Sequence, residues 1–231
     1  MIKQRLAQIQ AKITEICKRV ARNPKEIAIV GVTKYTTVDK MKEAITAGIT
    51  NIGESRVQDV QAKFSVLDQA HLKYTKHFIG HLQTNKAKFA VQLFDIIQSV
   101  DSLRLANEIE RQAEKQNKDT VRILVQVNTS GEQQKGGVAK TDALKLIEEI
   151  TKLKRVQVLG LMTMAPLTEE RAVVHKTFRD LKMIYDQLGQ FFKNHERVQM
   201  KHLSMGMSQD YEIALEEGSN MVRIGTAIFG T

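Results

Sequence analysis

Eight short apolar runs recur along this chain, at residues 27–32, 49–53, 77–80, 95–100, 121–128, 156–162, 201–205 and 221–225, with amphipathic helical stretches such as 38–47 and 56–69 between them. The first run, Ile27-Ala28-Ile29-Val30-Gly31-Val32, lacks the alternation of a strand with one wet face, so it suits a parallel strand covered on both sides. A parallel neighbour is reached only through a crossover, normally helical and right-handed. Eight strand–helix units in succession therefore predict an α/β fold, a (β/α)8 TIM barrel, with an open doubly wound sheet as the alternative. A single domain over residues 1–231 is the simpler organisation, because only Pro24 and Pro166 and no Ser/Gly-rich linker punctuate the chain.

An additional helix precedes the first strand. Ile2, Leu6, Ile9, Ile13, Ile16 and Val20 fall at alternating spacings of four and three, which lines them up as one apolar stripe over residues 4–21. With no helix expected after the eighth strand, this N-terminal helix is predicted to fill the vacant slot in the helical ring, and deletion of residues 1–22 to collapse stability. The net charge is +9, and residues 1–40 carry nine Lys+Arg against three Asp+Glu, an excess of six. That raises a nucleic-acid reading, but no aromatic residue interleaves the basic helix, and a solvated face accounts for it more simply. The single Cys17 cannot close an intramolecular disulfide, no Cys/His spacing suits zinc, and no apolar stretch approaches 18 residues. The expectation is a cytoplasmic protein without metal or membrane span.

Barrel enzymes and binding barrels gather their chemistry at the C-terminal ends of the strands. There the chain places Lys34 after the first strand, Asn128-Thr129-Ser130-Gly131 after the fifth, Ser204-Met205-Gly206 after the seventh, and Arg223 with Gly225-Thr226 at the eighth. A lysine beside apolar groups loses part of its ammonium solvation, which readies an amine for attack on an aldehyde; the plain alternative is a solvated lysine at a strand end. Along the eighth strand Arg223 alternates with Val222 and Ile224, so aliphatics facing the helices would turn the guanidinium into the barrel, where a structural ion pair is the competing use. Glycine and hydroxyl residues in the last two turns can bring backbone N–H groups close to an anion. Aldehyde capture, a ring-nitrogen partner and phosphate anchoring are together what a pyridoxal phosphate site needs.

At these positions the chain resembles a known family. Val32-Thr33-Lys34, Asn51-Ile52-Gly53-Glu54, the run from His77 through Gly80-His81-Leu82-Gln83-Thr84-Asn85 to Lys86, Val127-Asn128-Thr129-Ser130-Gly131-Glu132, Gly160-Leu161-Met162, His202 through Ser204-Met205-Gly206-Met207-Ser208 to Asp210, and Val222 through Gly230 are similar to the pyridoxal phosphate homeostasis proteins, also called proline synthase co-transcribed proteins. The resemblance runs end to end. It implies a barrel like the N-terminal domain of alanine racemase, pyridoxal 5'-phosphate held as an aldimine on Lys34, and contacts from Ser55, His77, Ser204, Met205, Gly206, Arg223, Gly225 and Thr226. It further implies no catalytic turnover, a role in binding, buffering or delivering the coenzyme, apo forms of pyridoxal phosphate enzymes as partners, and a monomer.

Two departures bear on the transfer. Ser55 stands where the family usually has asparagine near the ring hydroxyl, and its shorter side chain reaches that oxygen only through water or a shifted backbone. Lys135, in the segment 132–137, is a candidate second contact on a loop that is mobile in the family. The competing enzyme reading is an amino-acid racemase. It needs acid/base groups on both faces of the ring, whereas an arginine at the ring nitrogen weakens the electron sink and the sequence ends at Thr231 without a β-rich domain to supply the second group.

Overall fold

The computed structural model describes residues 1–58, 60–132 and 136–230. Its strands are β1 (Ala28–Val32), β2 (Asn51–Glu54), β3 (Thr75–Phe78), β4 (Ile96–Val100), β5 (Val121–Asn128), the two-residue β6 (Val138–Ala139), β7 (Val156–Met162), β8 (Val198–Met207) and β9 (Met221–Ile224). Leaving out β6, which pairs with the end of β5, the ring runs β1-β2-β3-β4-β5-β7-β8-β9 with every pairing parallel, and β9 pairs with β1 to close it. The (β/α)8 barrel expected from the alternating runs is the fold, and the open sheet is excluded by that closure.

Two strands depart most from the sequence reading. β3 begins at Thr75 and ends at Phe78, because Thr75 and Lys76 at the open lower end are polar and hide the strand from an apolar count. β8 runs on to Met207, past Gly206, whose φ of +95° and the register shift between Ser204 and Met207 mark a bulge. That extension moves the rim of the barrel beyond Ser204.

The helices are α1 (Ile2–Arg19), α2 (Val38–Thr46), α3 (Val60–Gln69), α4 (Ala87–Leu93), α5 (Leu103–Lys115), α6 (Ala143–Thr151), α7 (Arg171–Phe191), α8 (Tyr211–Glu216) and α9 (Thr226–Phe229). Among the described residues β9 is followed by the four-residue α9, and α1 packs against α2, α8 and α9 to cover that side of the barrel. Its stripe is core: Ile2, Leu6, Ile9, Ile13 and Ile16 are each no more than 6% exposed. At about 1.5–3 kcal/mol for each buried Ile or Leu, these five contribute on the order of 10 kcal/mol before ordering entropy is subtracted. Lys12 of α1 pairs with Glu15 and Glu212 and Arg19 with Glu216, while Arg22 beyond the helix donates to the Leu215 carbonyl at 3.0 Å.

Inside the ring, Ile96, Leu124, Leu159 and Met162 form an apolar cluster separate from the layer between strands and helices. The interior also holds polar side chains, with His77, Gln98, Ser204 and Arg223 all buried. That division positions the site.

Candidate functional site at the barrel mouth

β1 leaves the core at Thr33, and its end is held by a buried knot of charge. The Thr33 hydroxyl donates to Glu54 Oε1 at 2.8 Å, and Lys63 Nζ donates to the same oxygen at 3.2 Å and to the Thr33 carbonyl at 3.1 Å. Glu54 is 3% exposed, so an ion pair there fixes the strand end against β2. The next residue, Lys34, stands in solvent with its Nζ 5.0 Å from the centroid of the Tyr35 ring. This corrects the expectation of an amine shielded by apolar groups: the strand end is buried and the amine is not.

Lys34 opens into a cleft of about 660 Å3 whose walls also include Val32, Ser208, Arg223, Gly225 and Thr226. A Cβ on Gly225 would lie 3.3 Å from the Val32 Cβ, so glycine lets the β9 turn come in against β1 and draws the last turn close to the lysine. Gly225 is also the N-cap of α9, and its amide donates to Ser208 Oγ at 3.3 Å. The first amides of a helix have no intrahelical acceptor, which suits this turn to an anion. Opposite it, the Met207 amide donates to Asp210 Oδ1 at 2.5 Å and fixes the turn carrying Ser208. Gly206 is required by both its φ and its packing, since a Cβ there would lie 2.6 Å from the Ala214 Cβ.

Arg223 enters the cleft from within the barrel and is 4% exposed. Burial pulls its pKa down to about 10, partly offset by Asp210, so the guanidinium stays charged at neutral pH. It donates from Nη1 to Ser204 Oγ at 2.7 Å and from Nη2 to the Thr163 carbonyl at 2.8 Å. The ion pair weighed for a buried arginine is therefore replaced by neutral acceptors. Ser204 in turn donates to Gln98 Oε1 at 2.7 Å, Gln98 Nε2 lies 2.9 Å from His77 Nδ1, and His77 Nε2 lies 3.0 Å from Asn51 Oδ1. Burial, reinforced by His202, pushes His77 down to about 3 and keeps the ring neutral.

The structure thus unites Lys34, Arg223, Gly225 and Thr226 and separates the rest. Ser204 is wholly buried with both partners inside the barrel, which corrects its expected place at the rim; the strand overruns it, and Ser208 is the hydroxyl in the cleft. His77 is likewise 0% exposed with both ring nitrogens engaged, and its link to the cleft runs through Gln98 and Ser204 to Arg223. Met205 is buried beneath the turn and Gly206 shapes it. Ser55 lines a different recess of about 170 Å3, with Arg56, His81 and Lys86. Lys135 lies outside the described residues. Sequence reasoning missed Ser208, Gln98, Thr163 and Lys63; a second serine two residues past Gly206 was the one available signal for Ser208.

A closed parallel barrel that gathers a free amine, an inward guanidinium and a glycine–hydroxyl turn in one cleft is a small-molecule-binding barrel of the alanine racemase kind. The family model described as alanine racemase, N-terminal domain, matches residues 4–231. The chain belongs to that family and, within it, to the pyridoxal phosphate homeostasis proteins. The protein of that name from Aquifex aeolicus is 38% identical over 227 residues, 98% of this chain and 96% of the relative. PipY of Synechococcus elongatus, solved without PLP and with PLP bound, matches at TM-scores of 0.87 and 0.84 with 32% and 31% identity, each covering 100% of both chains. Alanine racemase of Clostridium difficile 630 matches all of this chain and 56% of the enzyme, with a TM-score of 0.76 and 18% identity, a likeness of fold alone.

Proposed function

We propose that this protein binds pyridoxal 5'-phosphate at the barrel mouth and serves vitamin B6 homeostasis by holding and releasing the coenzyme, without turning over a substrate. One observation carries the reading: Lys34, Arg223, Ser208, Gly225 and Thr226 line the same cleft. The PLP-bound form of PipY supports it. When bound, the coenzyme supplies an aldehyde, an aromatic ring nitrogen and a phosphate. Lys34, whose amine faces the cleft, would hold the coenzyme through its aldehyde. Arg223 would face the ring nitrogen, and the Ser208 and Thr226 hydroxyls with the amides of the Gly225–Thr226 turn would hold the phosphate.

Exposure of Lys34 matters to the distinction between a carrier and an enzyme. Lys34 is exposed, so water would reach the point of attachment and allow release of the coenzyme, as a reservoir requires. An arginine beside the ring nitrogen competes with protonation there and weakens the ring as an electron sink, which sets racemisation at a disadvantage. Apo forms of enzymes that use the same coenzyme are the recipients this reading implies.

Intact-mass measurement before and after borohydride reduction tests it. The loaded protein is expected to carry one reduced coenzyme adduct, and Lys34→Ala to carry none. Retention of the adduct in Lys34→Ala, or amino-acid racemisation by the loaded protein faster than by free coenzyme, would overturn the reading.

A further inference from the structure

We infer that Asn51, His77, Gln98 and Ser204 are a positioning chain that holds Arg223 in its orientation toward the cleft. The inference deepens the proposed function and rests on it for the identity of the ligand. The direction of the chain follows from the Gln98 amide, whose Oε1 faces Ser204 while its Nε2 faces His77 and the Met221 Sδ at 3.3 Å, an atom that can only accept. Arg223 Nη1 donates to Ser204 Oγ, so the Ser204 proton goes to Gln98 Oε1. Gln98 is then left with its amide N–H for His77 Nδ1, which must accept, and His77 carries its proton on Nε2 and donates to Asn51 Oδ1. Each member has its opposite atom committed, and reversing any one would set two donors or two acceptors face to face.

The geometry is specific to positioning. His77, Ser204 and Gln98 are each 0% exposed and come from β3, β8 and β4, so three strands of the ring converge on one guanidinium from β9. Thr163 holds the other side: its carbonyl accepts from Nη2, its amide donates to the Ser204 carbonyl at 3.1 Å, and its hydroxyl donates to the Val127 carbonyl at 2.8 Å. With Nη1 and Nη2 both anchored, the guanidinium plane is set before any ligand enters. Its remaining N–H groups present donors alone to the cleft. The neutrality of His77 agrees with this arrangement, because an imidazolium could not accept from Gln98.

The test uses the full chain, cofactor-free and loaded. In cofactor-free wild type, 15N NMR of the imidazoles is expected to show His77 as the neutral Nε2–H tautomer, with slowly exchanging Arg223 guanidinium signals. Gln98→Leu is expected to broaden those signals and to speed coenzyme release about tenfold while Lys34 is still labelled by coenzyme and borohydride. His77→Leu should do the same. His77→Gln, whose amide can accept from Gln98 and donate to Asn51, should restore the wild-type release rate. An Nδ1–H tautomer in the wild type overturns the inference without requiring any variant to fold, as do Gln98→Leu and His77→Leu proteins with unchanged Arg223 signals and release. Failure of borohydride to label Lys34 in the wild type would instead remove the proposed function, leaving the NMR result to judge the chain.

Discussion

Two serines four residues apart, Ser204 and Ser208, should respond to the same substitution in opposite ways. Ser208 Oγ lies in the cleft and accepts from the half-buried Gly225 amide, so Ser208→Ala removes a hydroxyl from the anion turn and leaves the core intact. A hydrogen bond to a charged group contributes about 1.5–3 kcal/mol, and a solvent-accessible site belongs at the low end, which corresponds to roughly tenfold weaker binding of pyridoxal phosphate. Ser204→Ala strands two buried partners, Gln98 Oε1 and one Arg223 N–H, each at a cost of about 1–3 kcal/mol. At roughly 2–4 °C per kcal/mol for a chain of this size, the melting temperature should fall by about 5–20 °C. Absorbance titration with the coenzyme and thermal melts of the cofactor-free proteins read the two effects separately. A Ser208→Ala protein that binds like wild type, or a Ser204→Ala protein that melts like it, would refute the assignment of rim and core.

Removal of residues 1–22 exposes the barrel surface beneath the α1 stripe and should leave a protein without a cooperative melt; a truncated chain melting within a few degrees of the full one would contradict the role of α1 as barrel cover. Gly206→Ala must fit a Cβ 2.6 Å from the Ala214 Cβ at a φ of +95°, and is expected to lose more than about 2 kcal/mol in denaturant unfolding together with coenzyme affinity. The depressed pKa of His77 makes stability depend on acidity: the unfolded ring takes a proton near pH 6.5 and the folded one not until about 3, so its contribution is complete above pH 6.5 and is lost as pH falls through that window. By pH 5 the loss is about 2 kcal/mol, and His77→Gln, which does not titrate, should show a correspondingly flatter stability profile between pH 7 and pH 5.

The barrel was legible because its signal is repetitive. Strands such as Val121–Asn128 and Val156–Met162 are apolar on both faces, and nothing but a covered parallel sheet accommodates a succession of them. Parity sufficed to turn Arg223 inward, since Val222 and Ile224 pack in the layer under the helices. What could not be read was where a strand stops when its bulge lies beyond the apolar run. Ser204 was assigned to the rim for that reason, and β8 in fact carries the rim to Met207. Nor could a sequence reveal that Gln98 joins His77 to Ser204, because the three residues are brought together only when strands far apart in the chain close the ring. Lys34 shows the limit from the other side: its position at the end of β1 was evident, whereas its exposure follows from the path of the chain beyond Thr33, where Lys34 and Tyr35 both stand in solvent.

The central claim is that the amine of Lys34 and the turn from Gly225 to Thr226 hold opposite ends of one molecule. A crystal structure of the protein loaded with pyridoxal phosphate tests it most directly. The account predicts continuous density from Lys34 Nζ to the ring and a phosphate within hydrogen-bonding distance of Ser208 Oγ and the Thr226 amide. A phosphate seated instead in the recess of Ser55, His81 and Lys86, with Lys34 unmodified, would contradict it.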